Sequence, residues 1–179
     1  MTSSFRARVV TVSTRTAAGV FEDRSGPILV QGLTDLGLQV DGPLVVADGA
    51  PVGDALRSAV TEGIDLVVTT GGTGCTPTDR TPEQTQPLLD RPVPGIAEAI
   101  RNYGVAQGVP TAALSRGLAG FAGATLIINL PGSAGGARDG LQVLGGLVVH
   151  ALEQNLGSDH RREPAGLVPP DQAPPEVSG

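Results

Sequence analysis

Two strand-like apolar segments in this chain each end in a glycine-rich turn, and this repeated arrangement strongly constrains the fold. The first segment, Ile64–Thr70, continues into Gly71-Gly72-Thr73-Gly74, and the second, Thr125–Leu130, continues into Pro131-Gly132-Ser133. Short apolar runs bounded by glycine and proline are typical of strands buried in a parallel sheet. Because ligands of such sheets bind at the carboxyl ends of the strands, both turns are expected on that one edge.

Strand-like and helical segments alternate along the rest of the chain. Further strands are predicted at Arg6–Val12 and at Leu38–Val46, where Gly42-Pro43 indicates an edge strand or a bend. This alternation predicts an α/β fold: a single three-layer domain with a mostly parallel sheet and helices on both faces. The predicted helices are Ser25–Leu36, Asp54–Glu62, one that begins at Thr81-Pro82, Gly95–Tyr103, and a long one at Ala137–Leu156.

The last part of the chain divides into a long apolar helix and a proline-rich tail. The span Leu141–Leu152 carries no charged side chain, so we expect it to be buried on most sides, either within the molecule or between copies of it. The last sixteen residues contain five of the fifteen prolines. We therefore place the domain at residues 1–160 and a flexible tail at residues 161–179.

Composition excludes several classes of protein. The chain has 179 residues, a net charge of −6 and no lysine, which argues against general nucleic-acid binding. No segment approaches the roughly twenty apolar residues that cross a bilayer, and no secretion signal is evident, so we expect a cytoplasmic protein without membrane contact. The single cysteine, Cys75, permits no internal disulfide; a small residue that fits its loop is favoured over a nucleophile.

The first glycine turn has the composition of an anion-binding loop. Glycines at positions 71, 72 and 74 let backbone N–H groups approach an anion, because no Cβ stands in the way. Thr73 adds a hydroxyl, and Asp79 adds the charge that a metal ion or a reacting phosphate would need. The loop is neither a P-loop, which requires a lysine, nor a dinucleotide fingerprint, which has a different glycine spacing.

Each candidate acid has a simpler structural alternative. Asp79 could bind Mg²⁺ or orient a substrate, or it could cap the helix at Pro82. Asp48 could be a second carboxylate ligand of Mg²⁺, or it could belong to an ordinary Asp-Gly turn. Ser133, with Gly132, precedes a helix N-terminus that could bind phosphate, or it could lie in a plain strand-to-helix turn.

Three further polar residues are candidates for ligand binding. Ser115 and Arg116 form a polar pair in an apolar stretch, and Arg116 could bind phosphate or join a surface ion pair. Glu98 could face a ligand or pair with Arg101, three residues later. His150 is expected in the core or an interface.

Taken in order, these pieces resemble the molybdopterin adenylyltransferase family, the Mog and MoaB proteins of molybdenum cofactor biosynthesis. The resemblance covers roughly residues 5–157. The matching pieces are Thr11-Val-Ser13, Gly19, Asp23-Arg-Ser-Gly26, Val46-Ala-Asp48, Thr69-Thr-Gly-Gly-Thr-Gly74, Asp79, Thr81-Pro-Glu83, Pro94-Gly-Ile-Ala-Glu98, Leu114-Ser-Arg116 and Asn129-Leu-Pro-Gly-Ser133.

The resemblance implies an enzyme that transfers AMP from Mg-ATP to the phosphate of molybdopterin and releases pyrophosphate. Asp48 and Asp79 stand where the family has its two functional acids. The resemblance also implies a homotrimer whose product is used by a molybdenum-insertion protein. A protein of the same fold that binds molybdopterin or a nucleotide without catalysis is the alternative. The residues expected to contact ligands are Gly71, Gly72, Thr73, Gly74, Glu98, Ser115, Arg116, Pro131, Gly132 and Ser133.

Overall fold

Six strands form one sheet in the computed structural model, which describes residues 5–157. The strand order is β2-β1-β3-β6-β5-β4; the first four are parallel, and β5 runs antiparallel to both β6 and β4. The strands span Arg6–Val12 (β1), Gln39–Val46 (β2), Leu66–Thr70 (β3), Arg91–Pro92 (β4), Ala119–Ala122 (β5) and Thr125–Leu130 (β6).

Helices follow most of the strands. None of the helices within residues 5–157 is long and apolar enough to cross a membrane. They span Thr14–Ala17 (α1), Gly26–Asp35 (α2), Ala50–Thr61 (α3), Thr81–Thr85 (α4), Pro94–Ala106 (α5), Ala134–Gly145 (α6) and Val148–Asn155 (α7), with short 3₁₀ segments at Gln86–Leu88 and Pro110–Leu114.

The sheet separates two apolar cores, because successive side chains of a strand point to opposite faces. Val9, Val68 and Ile128 share one face, where they pack with α2, α5, α6 and α7. Val10 and Ile127 belong to the other core, where α3 covers the sheet with Val52, Leu56 and Ala59. The predicted fold class, a mostly parallel sheet between two helical layers, is confirmed.

The prediction of one long helix at Ala137–Leu156 is wrong. The segment forms two helices, α6 and α7, which are separated at Gly146-Leu147. Within one molecule, only Leu144, Val148 and Leu152 of Leu141–Leu152 are buried, so intramolecular packing does not give the expected burial on most sides, and burial between copies stays a prediction. All three side chains belong to the same core, so the absence of charge marked one buried face and a half-exposed remainder.

The edges of the sheet differ in how well the sequence predicts them. β2 lies at one edge, as Gly42-Pro43 indicated, and its register with β1 shifts between Arg8 and Val10. The short antiparallel strands β4 and β5 at the other edge were not predicted, because proline and glycine give them no alternating pattern. The tail at residues 161–179 lies outside the described residues.

An ion pair fastens β1 to the end of α3. Arg8 donates to Glu62 from Nη1 and Nη2, at 2.9 and 2.8 Å, and its Nε donates to Asp41 at 2.9 Å. The hydrogen bonds from Arg8 lower the pKa of Glu62 to about 2, while this carboxylate raises the pKa of Arg8. The ionised Glu62 therefore stabilises the folded state fully above pH 4.5, the ordinary pKa of a glutamate. This stabilisation is lost as the pH falls towards 2.

We predict that Glu62→Gln lowers the melting temperature at pH 7 by a few degrees at most, since the pair is partly exposed. The difference from wild type should shrink as the pH falls from about 4.5 towards 2, because protonation then removes the same charge from wild type. Thermal unfolding at several pH values measures this. Asp54→Asn, which removes a more exposed pair with Arg57, is the control and should show a smaller difference.

Candidate active site

The two glycine turns meet at the carboxyl ends of β3 and β6. The Gly71 N–H donates to the Leu130 carbonyl at 3.0 Å, and the Thr70 hydroxyl donates to the Pro131 carbonyl at 2.8 Å. A Cβ placed on Gly132 would lie 3.0 Å from the Cα of Gly71, so the two backbones are in direct contact. The parallel pairing of β3 with β6 therefore brings both turns to one rim.

Glycine is required at two positions of the first turn. Gly71 and Gly72 have φ angles of 107° and 63°, which side-chain-bearing residues rarely adopt. A Cβ on Gly72 would lie 2.6 Å from Oδ2 of Asp48 and would also collide with the Thr81 hydroxyl. The turn can hold this path only because both positions lack side chains.

A cavity of about 550 Å³ opens over the two turns. Most of the predicted ligand-contacting residues line it, whereas Asp48, Glu98 and Arg116 do not. Its other walls come from α5, the 3₁₀ segment Pro110–Leu114, and the first half of α6. The predicted residues in its lining are Gly71, Gly72, Thr73, Gly74, Asp79, Ser115, Pro131, Gly132 and Ser133.

Asp79 lines this cavity from the end of the glycine loop. Its Oδ2 accepts hydrogen bonds from the Thr76 N–H at 3.1 Å and from the Thr76 hydroxyl at 2.7 Å. These bonds hold the carboxylate against its own loop. The alternative role as a cap is not what the structure shows, because α4 has no side-chain cap.

Asp48 approaches the same loop from the opposite side. Its Oδ1 accepts from the backbone N–H groups of Gly49 at 3.0 Å and Arg80 at 2.9 Å. Asp48 thus forms the Asp-Gly turn that was considered as an alternative. Its bond to Arg80 also holds the residue that follows Asp79. Asp48 links the β2–α3 turn to the loop that carries the other acid.

The pair of acids suits a Mg²⁺ ion that is also held by phosphate. Oδ1 of Asp79 and Oδ2 of Asp48 accept no hydrogen bond from residues 5–157, so each carboxylate keeps one oxygen for a ligand. The described part of the chain contains no cluster of three metal-binding side chains. Mg²⁺ commonly takes one or two carboxylates together with phosphate oxygens and water, so two acids are sufficient.

Arg116 holds the glycine loop in place from outside the cavity. Its backbone N–H donates to the Thr73 carbonyl at 2.8 Å. Nε donates to the Gly74 carbonyl and Nη2 to the Asp79 carbonyl, both at 2.7 Å, while Nη1 pairs with Glu83. This guanidinium lowers the pKa of Glu83. Of the two roles considered for Arg116, the structure places it in the ion pair.

The remaining candidates divide between the cavity and the surface. The hydroxyl of Ser115 lies 3.5 Å from that of Thr73, at the cavity wall. Ser133 caps α6 by accepting from the Gly136 N–H at 3.0 Å. Glu98 is exposed on α5, and it does not pair with Arg101, which donates to two backbone carbonyls.

A second cavity, of about 570 Å³, adjoins the first. The two share Val12, Ser13, Gly132 and Ser133, so the second glycine turn lies between them. The second cavity contains two cations, Arg15 and Arg24, and the ring of Phe21, which lies 5.2 Å below the guanidinium of Arg15. Sequence reasoning assigned no site role here, although most residues of the matching pieces Thr11-Val-Ser13 and Asp23-Arg-Ser-Gly26 line this cavity.

We predict that Gly72→Ala destabilises the protein by about 1–3 kcal/mol, because alanine at this φ is strained and its methyl displaces Asp48. Chemical denaturation measures the loss. Gly95→Ala is the matched control: it lies in α5 with open space around its Cβ, and we expect a change within about 0.5 kcal/mol. Equal effects of the two substitutions would contradict the steric argument.

Comparison with known sequences finds one family over most of the chain. Residues 8–151 match the sequence profile described as "Probable molybdopterin binding domain". The chain is 42% identical over 155 residues to a "Molybdenum cofactor biosynthesis bifunctional protein" of Synechococcus elongatus, covering 86% of this chain and 48% of that protein. It thus spans about half the length of this bifunctional relative.

Relatives of similar length are also found. A "Molybdopterin adenylyltransferase" of Pyrococcus furiosus is 35% identical over 154 residues, which covers 84% of this chain and 90% of that protein. The solved structure of the "Molybdopterin biosynthesis Mog protein from Mycobacterium ulcerans" is 52% identical, with a TM-score of 0.81, and the match covers 85% of this chain and 99% of that one. The chain therefore belongs to the molybdopterin-binding domain family of molybdenum cofactor biosynthesis proteins.

Proposed function

We propose that this protein is a molybdopterin adenylyltransferase, which transfers AMP from Mg-ATP to the phosphate of molybdopterin and releases pyrophosphate. The observation that carries the proposal is the contact between the Gly71 and Gly132 turns beneath one cavity, with Asp79 in its wall. Such a floor offers backbone N–H groups to phosphate oxygens, and nucleotidyl transfer depends mainly on positioning and charge neutralisation.

The bond changes follow from the two substrates. An oxygen of the molybdopterin phosphate attacks the α-phosphorus of ATP, and the bond from that phosphorus to the pyrophosphate oxygen breaks. The two anions must therefore be held close together. Because the cavities of about 550 and 570 Å³ share Ser13 and Ser133, ligands in them would meet at this rim.

The backbone supplies much of the anion binding in this arrangement. The Gly71–Gly74 turn faces the first cavity, and the second turn leads into α6, a helix of twelve residues. The N-terminus of such a helix carries a partial positive charge and free N–H groups, which favour phosphate. Thr73, Ser115 and Ser133 add hydroxyls that can orient the phosphate oxygens.

Asp48 and Asp79 would hold Mg²⁺, which enters with ATP. When bound, this ion neutralises charge on the phosphate oxygens and on the leaving pyrophosphate. Each acid is anchored through one carboxylate oxygen, which fixes the direction of the other. The bond from Arg80 N–H to Asp48 keeps the two acids in register with each other across the glycine loop.

Self-association and transfer of the product complete the proposal. We place the reaction in the cytoplasm, where ATP is available, and expect the product to pass to a molybdenum-insertion protein. The protein would act as a homotrimer. The uncharged surface that α6 and α7 leave half exposed, with Leu141, Val143 and Leu147, supports such an association.

The activity is tested by incubating the protein with molybdopterin and Mg-ATP and measuring pyrophosphate and adenylylated pterin. Asp79→Asn should lower kcat by about a hundredfold or more, because it removes a charged ligand of the Mg²⁺ ion that would neutralise the reacting phosphates. The fold should persist, as circular dichroism can verify. Tight pterin binding by wild type without any product above the enzyme-free control would identify a binding protein instead.

The oligomeric state has its own test. Light scattering after gel filtration should give a mass three times the 18.0 kDa of one chain. Leu147→Glu should reduce this mass, because a charge at a half-exposed apolar position opposes association. Asp35→Glu, at the exposed end of α2, is the control. A wild-type mass of one chain would contradict the proposed trimer.

A further inference from the structure

The first cavity, which opens over the two glycine turns, contains a carboxylate that the proposed chemistry does not use. Asp139 lies on α6, six residues after the cap Ser133, and lines the cavity. It is half-buried, and it forms no hydrogen bond or ion pair with any residue of the 5–157 range. At about 1.5 Å per residue along a helix, Asp139 stands about 9 Å along the axis from Ser133.

The surroundings of Asp139 leave its carboxylate without a hydrogen-bond donor among residues 5–157. Its Oδ2 lies 3.9 Å from the position that a Cβ would take on Gly104 of α5, so the carboxylate faces the opposite wall closely. That wall is apolar, with Ile100, Val109 and Leu114. A charged group on an apolar wall is stabilised when a ligand donates hydrogen bonds to it.

The chemistry of a carboxylate selects the kind of ring it can bind. Its two oxygens accept a parallel pair of N–H donors. The 2-amino group and the adjacent ring N–H of a 2-amino-4-oxopyrimidine form such a pair, and both pterins and guanine carry this edge. Adenine presents one amino group beside a ring nitrogen that can only accept a hydrogen bond. The lone pair of this ring nitrogen would face the second carboxylate oxygen and be repelled by it.

We propose that Asp139 is a specificity-determining residue that accepts two hydrogen bonds from the 2-amino-4-oxopyrimidine edge of the substrate ring. The inference rests on the proposed function, because that function supplies a pterin as one substrate. It assigns the pterin to the first cavity, with its ring between Asp139 and the apolar wall and its phosphate towards the glycine turns. It leaves the second cavity, with Arg15 and Phe21, for the nucleotide.

The test measures binding instead of turnover. The chain has no tryptophan and one tyrosine, so pterin fluorescence can be followed with little overlap from the protein. Neopterin monophosphate, the matching lumazine with oxygen in place of the 2-amino group, GTP and ATP are the probes. Wild type should bind the pterin about tenfold to a hundredfold more tightly than the lumazine, which lacks one donor of the pair.

Asp139→Asn should weaken pterin binding by about tenfold or more and abolish the preference over lumazine, while ATP affinity changes less than twofold. Asp54→Asn, an exposed acid on α3, is the matched control and should leave all affinities unchanged. Tighter binding of GTP than of the pterin, with the same dependence on Asp139, would support recognition of the 2-amino-4-oxopyrimidine edge by Asp139. It would assign that edge to a guanine nucleotide.

Two results would overturn the proposal. One is an equal affinity of wild type for pterin and lumazine, which needs no variant and therefore does not depend on how Asp139→Asn folds. The other is a loss of ATP affinity in Asp139→Asn that matches the loss for pterin, as expected if the carboxylate held ribose hydroxyls. Pterin binding that depends on Asp139 without AMP transfer would refute the proposed activity and leave this inference intact.

Discussion

The close approach of the β3 and β6 turns is the constraint on which the site depends. Parallel pairing sets the two strands side by side, and the turns then meet so closely that a Cβ on Gly132 would lie 3.0 Å from the Cα of Gly71. Gly71 itself must lack a side chain because a Cβ there would collide with the Val12 carbonyl. The Thr70 hydroxyl then bonds to the Pro131 carbonyl, so one turn satisfies a backbone acceptor of the other. A single backbone surface results, to which both turns contribute N–H groups.

A buried polar network fixes this surface from behind. The side-chain amide of Asn129 on β6 donates to the hydroxyls of Thr69 at 3.0 Å and Thr85 at 3.1 Å. Its side-chain oxygen, Oδ1, accepts from the Leu118 N–H. Thr81, buried beside them, donates to the Gly71 carbonyl at 3.0 Å. No buried side-chain nitrogen or oxygen within residues 5–157 lacks a partner. Because a broken bond in such a network leaves a buried polar atom unpaired, the network resists movement of the turn.

How much of this was predictable depends on how local each signal is. The strand–turn–helix units carry their signals in consecutive residues, and the sequence predicted β3, β6 and their meeting turns. The partners of Arg116 lie between Thr73 and Glu83, as far as 43 positions before it in the chain. No sequence spacing predicts such contacts. Asp139 gave no signal either, because one acid in an amphipathic helix usually faces solvent. The pair Gly145-Gly146 does indicate the break between α6 and α7, because glycine has a low helix propensity.

The charge of the protein makes the use of backbone groups understandable. A chain with a net charge of −6 that bound two phosphorylated ligands, as proposed, would have to neutralise anions without a general positive field. The guanidinium of Arg116 is already paired with Glu83 and two carbonyls, so it cannot supply a free charge to the cavity without breaking those bonds. The arginines of the second cavity, Arg15 and Arg24, remain for one ligand. Under the proposed function, the first cavity would therefore rely on peptide N–H groups, on the α6 terminus and on a cation that arrives with the nucleotide, which fits a rim that combines glycines with Asp79.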